Sequence, residues 1–291
     1  MTDVEMLVYD GIRKTINRFR ENPFFYFTES DIHASLHRDI MEGGSKELVH
    51  REDGIAVSLV HLEYPTNFRY EKRKLLEGYG NDDISITSID NEAKYGDRGN
   101  FDLVVLNKDF VRSVFEKPHD SENSEFTDLE MILKRVINKD ASLSIERKHK
   151  DDSTYKREVQ YAIEVKFIHP FNARNINMLE EVITDNEKLR LATEHSDGFT
   201  KAINLVFCSS QEKVRSDRKD PVINRIREYI RNGRTVHENR EYKVPEAALN
   251  VFIDSHLDES RKNTDKPITW PAKGTMNSGD WRNELISTII R

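Results

Sequence analysis

The chain has 291 residues, of which 36% are hydrophobic and 33% are charged, and its formal net charge at pH 7 is −7. This length and hydrophobic content allow a buried core and argue against wholesale disorder, while the acidic balance argues against a protein that coats nucleic acid through bulk positive charge. The single cysteine, Cys208, excludes an internal disulfide and a cysteine-rich zinc site. The sequence contains neither an apolar stretch long enough to span a bilayer nor a secretory signal, so we expect a cytoplasmic protein with no membrane partner.

Two helices are predicted at the start of the chain. Apolar residues recur at helical spacing over 3–20, and Asn22-Pro23 ends this helix. The second helix begins at Thr28 or Ser30, since either is a favourable N-cap residue, and it ends at Gly43-Gly44. The chain is therefore expected to open with a pair of helices.

The pattern then changes to that of strands. The predicted elements are strands over 48–51 and 55–64, a helix over 69–79, a strand over 101–106, a helix over 126–138 and a strand over 159–168. The stretch 107–158 is irregular and contains a highly charged tract, so we interpret it as an insertion between two core strands. Such an insertion costs little free energy if it lies on the surface.

Helices and strands alternate in the last part of the chain. The predicted elements are a helix over 176–194, a strand over 202–208, a helix over 221–232 and a strand over 249–253. Residues 257–291 are interpreted as a polar tail that ends in a short helix with Asp280 near its N-cap. This order predicts an α/β fold of mixed, α+β character, in which helices flank a central mixed sheet within a single domain over 1–256.

Three ionisable residues in the predicted central strands carry the strongest chemical signal. Glu164 and Lys166 are two positions apart in one strand, so their side chains share a face of the sheet. Asp102 interrupts the apolar run FDLVVL, where a lone carboxylate loses hydration and needs a partner or a metal ion. If the two strands are neighbours, Asp102 and Glu164 can bind one divalent cation beside the Lys166 ammonium. Hard oxygen ligands favour Mg²⁺ or Mn²⁺, which can activate a water and neutralise a scissile phosphate.

Asp102 and the run Glu164-Val165-Lys166, set in strands that precede a helix and another strand, resemble the PD-(D/E)xK or restriction-endonuclease-like nucleases. The resemblance extends loosely over residues 25–210. It implies a mixed four-stranded sheet flanked by helices, Mg²⁺ or Mn²⁺ as the cofactor, and nucleic acid, mostly DNA, as the partner. It also implies Asp102, Glu164 and the Val165 carbonyl as metal ligands. Lys166 takes the place of the catalytic lysine.

Many members of this family supply a further acid from the first core helix. Glu29 is the matching candidate and metal ligand, with Asp31 and Glu42 as alternatives, although an acid in the first turn of a helix also suits the helix dipole. Arg98, in a turn flanked by glycines, is a candidate phosphate-binding residue, with a solvated turn residue as the alternative. The sequence departs from the family pattern in having Phe101, not proline, before the aspartate.

Three further patterns are weighed against simpler interpretations. His33 and His37 lie one helical turn apart but lack the glutamate of the metalloprotease signature, so two solvated histidines are expected. His61 and Glu63 share a predicted strand face and could border the same cleft. The aromatic run 24–27 is expected to pack between the first two helices rather than to form a base-stacking platform.

The leading hypothesis is a Mg²⁺-dependent phosphodiesterase, a nuclease that acts on DNA. A catalytically inactive nuclease-like protein for binding or assembly is the main alternative, because the chain is acidic and contains no recognisable DNA-reading module. A metal hydrolase that acts on another substrate is the third hypothesis. Cleavage of both strands of a duplex would favour a homodimer.

Overall fold

The computed structural model of the chain describes residues 2–43, 46–52, 55–66, 99–116, 157–169, 177–209, 221–237, 239–255 and 266–290. The helices predicted over 69–79 and 126–138 lie outside these residues, as do Arg98 and most of the predicted insertion. No helix in the described ranges is both long enough and apolar enough to cross a membrane.

Six α-helices and one 3₁₀ turn are present in the described residues. They are α1 (Asp3–Glu21), the 3₁₀ turn (Pro23–Phe25), α2 (Glu29–Glu42), α3 (Lys108–Glu116), α4 (Asn177–His195), α5 (Pro221–Asn232) and α6 (Trp281–Ile290). Five of the helices follow the predicted ones closely, and α3 was not predicted. Thr2 and Thr28 cap α1 and α2 with complete capping boxes, which explains why these two helices begin where they do.

Within the described ranges, ten strands form one large sheet and two hairpins. The strands are β1 (Val49–Glu52), β2 (Ile55–Ser58), β3 (Val60–Pro65), β4 (Asn100–Leu106), β5 (Val159–Ile168), β6 (Lys201–Cys208), β7 (Arg234–His237), β8 (Arg240–Lys243), β9 (Ala248–Asp254) and β10 (Ile268–Trp270). The order in the large sheet is β10-β9-β6-β5-β4-β3, and β1-β2 and β7-β8 form separate antiparallel pairs. The predicted α/β fold with a mixed sheet flanked by helices is therefore confirmed.

The pairing directions set the position of the candidate site. β3, β4 and β5 are successively antiparallel, while β5, β6 and β9 are parallel. The strand predicted over 55–64 is divided at Leu59, because β2 pairs with β1 whereas β3 joins the large sheet. The hairpin β7-β8 and the edge strand β10 were not predicted.

Helices cover the two faces of the sheet with separate apolar clusters. On one face, α1 packs its rings against the strands, with Phe19 in contact with Phe167 and Tyr9 in contact with Tyr161. On the other face, α4 and α5 pack against β5, β6 and β9. Because side chains alternate along β5, its odd-numbered residues face α1 and its even-numbered residues, including Glu164, face α4.

The C-terminal residues belong to the same core. β10 pairs with β9, and α6 packs against α1 with Leu285, Ile286 and Ile289 buried. The segment 257–291, expected as a polar tail, thus contributes a strand as well as the predicted terminal helix. Its apolar residues complete the cluster around α1.

α1 and α2 approach each other closely at Gly11. A Cβ added there would lie 2.5 Å from Cγ1 of Ile40 and 2.8 Å from the Ile40 backbone nitrogen. We expect Gly11→Ala to lower the free energy of unfolding by about 1–3 kcal/mol, because the added methyl overpacks the crossing. Urea denaturation measures this change, with the exposed Glu21→Ala as the control. Stabilisation by Gly11→Ala, as helix propensity alone would give, would contradict the close approach.

Candidate functional site

The antiparallel pairing of β4 and β5 ends at Leu103 and Ile163, and the candidate site lies just beyond this point. Continuing the register places Asp102 opposite Glu164, so their side chains emerge on the same face of the sheet. The ladder itself stops there, since the Val165 backbone N–H donates to the Asp102 carboxylate over 2.7 Å instead of to a backbone carbonyl. The two strands therefore part at the predicted acids and leave an opening between them.

The first turn of α2 lies beside this opening. The Glu29 carboxylate accepts a hydrogen bond from the Phe167 backbone N–H over 3.1 Å, and the Lys166 ammonium lies 3.4 Å from the same carboxylate. His33, one turn further along α2, places Nε2 3.6 Å from Oδ2 of Asp102. The structure thus brings Glu29, Asp102, Glu164 and Lys166 together at one place.

Glu29, His33 and Asp102 form a compact set of possible metal ligands. One ligand atom from each lies within 4.8 Å of those of the other two. The His33 side chain is buried, and its Nε2 has no hydrogen-bond partner among the residues that the structure describes. Two oxygens and one nitrogen are ligands that a divalent cation such as Mn²⁺ accepts. The expectation that His33 is solvated was wrong, because α2 packs this face against β3, β4 and β5.

The two alternative acids of α2 lie elsewhere. The Asp31 carboxylate accepts hydrogen bonds from the backbone N–H groups of Phe27 and Thr28, over 2.9 and 2.8 Å, as part of the helix cap. Glu42 lies at the other end of α2, 3.7 Å from Arg38. Among the three acids considered, only Glu29 contacts the residues of the opening.

Lys166 is held by three carboxylates. Its Nζ lies 3.4 Å from Glu29, 3.5 Å from Glu181 and 3.7 Å from Asp185, and the last two residues are on α4. Burial lowers the pKa of Lys166, but the negative charges of Asp185, Glu29 and Glu181 outweigh it and raise the pKa above its ordinary value. The raised pKa keeps the side chain an ammonium at neutral pH, and the three carboxylates hold it in place.

Glu164 is paired with another lysine, Lys188, which lies on α4. Its side chain is 1% exposed and lies 2.6 Å from Nζ of Lys188, which also donates to the Asn100 carbonyl over 2.8 Å. Burial raises the pKa of Glu164 well above its ordinary value, and the Lys188 ammonium opposes this shift. The other carboxylate oxygen, Oε1, has no hydrogen-bond partner within the described part of the chain. Glu164 thus does not belong to the compact set of Glu29, His33 and Asp102. One of its carboxylate oxygens pairs with Lys188, and the other, Oε1, could accept a further partner.

The described residues of the site include more acidic than basic side chains. The acids are Glu29, Asp102, Glu164, Glu181 and Asp185, and the bases are His33, Lys166 and Lys188. Burial raises the pKa of Asp102, but His33 and Lys188 outweigh it and hold the pKa below its ordinary value. Burial also lowers the pKa of His33, which Asp102 and other acids raise above the usual value. Burial raises the pKa of Glu29, Glu164 and Asp185, and a bound cation would favour the charged forms of these carboxylates.

The Val165 carbonyl also faces the opening. The N–H and C=O groups of one residue point to the same side of a strand, and the Val165 N–H points to Asp102 rather than to β6. The carbonyl oxygen is therefore directed away from β6, towards the edge at which Asp102 lies. The Val165 carbonyl is thus placed where a backbone ligand is expected from the sequence.

Sequence reasoning missed four residues of the site: His33, Glu181, Asp185 and Lys188. The last three occupy positions i, i+4 and i+7 of α4, so they share one face of the helix. In the sequence, the repetition of ionisable residues at this spacing beside an apolar stripe could have indicated that this helix face contributes to a site. For His33, the signal was its position one turn after Glu29.

The pair His61 and Glu63 does not share a strand face as expected. Glu63 has a positive φ of 52°, which interrupts the alternation within β3. Its carboxylate lies 3.9 Å from Nδ1 of His33, whereas Nε2 of His61 donates to the Ser58 carbonyl over 2.7 Å. Only Glu63 thus adjoins the candidate site, through the outer nitrogen of His33.

No protein-family model, curated protein or solved structure matches this chain significantly.

Proposed function

We propose that this protein is a divalent-metal-dependent phosphodiesterase, a nuclease of the PD-(D/E)xK kind that acts on DNA. The observation that supports it most strongly is the meeting of Glu29, His33 and Asp102 with the Lys166 ammonium where β4 and β5 part. A cluster of acids beside a protonated lysine is the composition needed to hold a metal ion and a phosphate together. The cytoplasmic location and a homodimer for two-strand cleavage belong to the same proposal.

The residues of the site fit a resident divalent cation. Glu29, His33 and Asp102 would hold it, and Nε2 of the neutral His33 ring, which has no hydrogen-bond partner within the described residues, would face the cation. The Val165 carbonyl and Oε1 of Glu164 are the next available oxygens. When bound, the cation would neutralise charge on the scissile phosphate and supply an activated water.

The protein's own residues would do the remaining work. Because Glu29, Glu181 and Asp185 fix the Lys166 ammonium, it can contact a non-bridging phosphate oxygen and stabilise the charge that develops there. Glu29 contacts both Lys166 and the β5 backbone, so it couples the position of the ammonium to that of the metal ligands. The direct test is incubation of plasmid and single-stranded DNA with Mg²⁺, Mn²⁺ or EDTA, in which only the metals should give cleavage.

The nitrogen ligand predicts a preference among metals. Imidazole is a poor ligand for Mg²⁺ and a better one for softer divalent ions, so the site should bind Mn²⁺ more tightly than Mg²⁺. We expect His33→Ala to weaken Mn²⁺ binding by about tenfold or more and Mg²⁺ binding less, as measured by isothermal titration calorimetry. His37→Ala, one turn further along α2, is the control and should leave both affinities unchanged. Equal losses for both metals would contradict a role of His33 as a ligand.

An inactive nuclease-like protein for binding or assembly is the second candidate. The ion pair between Lys188 and Glu164, at 2.6 Å, favours it, because a protein cation already neutralises this buried acid of the site. Calorimetry with Mn²⁺ separates the two candidates, since an enzyme of the proposed kind must bind the metal. A protein that binds Mn²⁺ but cleaves neither DNA nor RNA would support the second candidate.

A further inference from the structure

Three phenylalanine side chains point into solvent immediately before α2. Phe24, Phe25 and Phe27 are 65%, 72% and 80% exposed, whereas Tyr26 between them is 5% exposed. The expectation that the whole aromatic run packs between the first two helices was therefore wrong for three of its four residues. Phe24 and Phe25 of the 3₁₀ turn and Phe27 after it are directed outwards, and only Tyr26 reaches the core. Exposed large apolar groups clustered in this way usually mark a binding surface.

The backbone that carries these rings is fixed. Tyr26 packs on Phe19 with ring centroids 5.5 Å apart, and its hydroxyl lies 3.3 Å from that of Ser35. The Phe27 backbone N–H donates to the Asp31 carboxylate over 2.9 Å, as part of the α2 cap. The exposed rings are thus held on an ordered turn between two packed helices. A ligand that stacks on them would lose little free energy to ordering of the protein.

The exposed rings adjoin the candidate site through the chain itself. Phe27 is two residues before Glu29, so their Cα atoms are at most about 7 Å apart. The Glu29 carboxylate contacts Lys166 and the Phe167 backbone N–H in the opening between β4 and β5. A strand with one phosphate at the opening would therefore carry its neighbouring bases past the rings.

We propose that Phe24, Phe25 and Phe27 form a stacking platform for unpaired nucleobases of the strand that is cleaved at this site. The proposal rests on the proposed nuclease function and specifies its substrate class, a single strand or a region with unpaired bases. Flat aromatic faces stack on every base and thus give affinity without sequence preference. The bases of a duplex are already stacked inside the helix and offer no faces to the rings.

The area of the platform argues against a second copy of this chain as its partner. Three Phe side chains at these exposures present about 400 Å² of apolar surface. A stable interface between proteins buries about 800 Å² on each partner. The rings fall well short of that requirement, while two or three stacked bases would cover them.

The test compares aromatic and aliphatic side chains at the same positions. Anisotropy in EDTA would measure the binding of labelled single-stranded DNA, single-stranded RNA, blunt duplex and an abasic single strand to the whole protein. We expect F24L/F25L/F27L to weaken binding of the single strand at least about tenfold, and to leave duplex and abasic binding within twofold. F24W/F25W/F27W should keep or increase the affinity. Val236→Ala, at an exposed apolar residue of β7, is the control.

Each outcome supports or overturns the platform. Undiminished single-strand binding by the leucine variant, equal losses for abasic and normal strands, or no single-strand binding by the unsubstituted protein would overturn it. Self-association that the leucine variant retains would then point to a protein partner.

Cleavage in Mn²⁺ is measured separately from binding. Base-dependent binding without cleavage would refute the nuclease function, whereas cleavage that is indifferent to the leucine substitutions would refute only the platform.

Discussion

Lys166→Ala is expected to reduce the rate of phosphodiester cleavage by about 10²- to 10³-fold, the usual effect of removing one fixed donor that stabilises developing negative charge. The ammonium is held by Glu29, Glu181 and Asp185 and is protonated at neutral pH, so alanine removes a positive charge from a defined position. Single-turnover cleavage of a labelled oligonucleotide in Mn²⁺ measures this effect without interference from product release.

The same variant separates catalysis from metal binding. Removing a positive charge beside Glu29 should leave Mn²⁺ affinity equal or higher, because the ammonium repels the cation. Lys243→Ala, an exposed lysine of β8, is the control and should cleave at the normal rate. Cleavage by Lys166→Ala at the rate of that control would exclude Lys166 from the mechanism. Loss of both cleavage and Mn²⁺ binding would instead indicate collapse of the site.

Lys188→Met is expected to lower the free energy of unfolding by about 3–5 kcal/mol, because it leaves Glu164 buried without its partner. Glu164 is 1% exposed, and Lys188 is the nearest cation to it at 2.6 Å. Urea denaturation at neutral pH measures the loss. The surface variant Lys243→Ala should change the stability by less than about 0.5 kcal/mol.

A double variant shows whether the cost comes from the unpaired charge. Glu164→Leu combined with Lys188→Met replaces the ion pair with apolar side chains and should recover most of the lost stability. If Glu164 belongs to the metal centre, Mn²⁺ should also raise the urea-denaturation midpoint of the Lys188→Met protein more than that of the unsubstituted protein. A double variant as unstable as Lys188→Met would show that packing, not charge, is the cause.

The central strands and their acids could be predicted because the signal is local. The run around Glu164 alternates with a period of two, and the aspartate in FDLVVL is conspicuous among apolar neighbours. That Asp102 and Glu164 lie close together depended on the hypothesis that their strands are neighbours. The pairing of Leu103 with Ile163 shows that β4 and β5 are neighbours. Helix boundaries were equally local, since Thr28 and its capping box mark the beginning of α2 in the sequence itself.

The other residues of the site could not be predicted, because their environment depends on which element covers which face of a helix or sheet. His33 lies on a helix face that sequence periodicity leaves undetermined, and β3, β4 and β5 happen to cover it. The ionisable residues of α4 were missed for the same reason, because a charged helix face is usually solvated. Phe24, Phe25 and Phe27 show the opposite error. Hydrophobic composition predicts burial, but the geometry of a short turn decides which side chains reach the core.

Anomalous diffraction from crystals soaked in Mn²⁺ is the most direct test of the metal centre. We expect one strong peak in contact with Glu29 Oε, His33 Nε2 and Asp102 Oδ. An Asp102→Asn crystal treated in the same way should lose most of that peak. A soaked crystal with no density between these three side chains, or with manganese bound only elsewhere, would contradict the metal centre and with it the proposed nuclease.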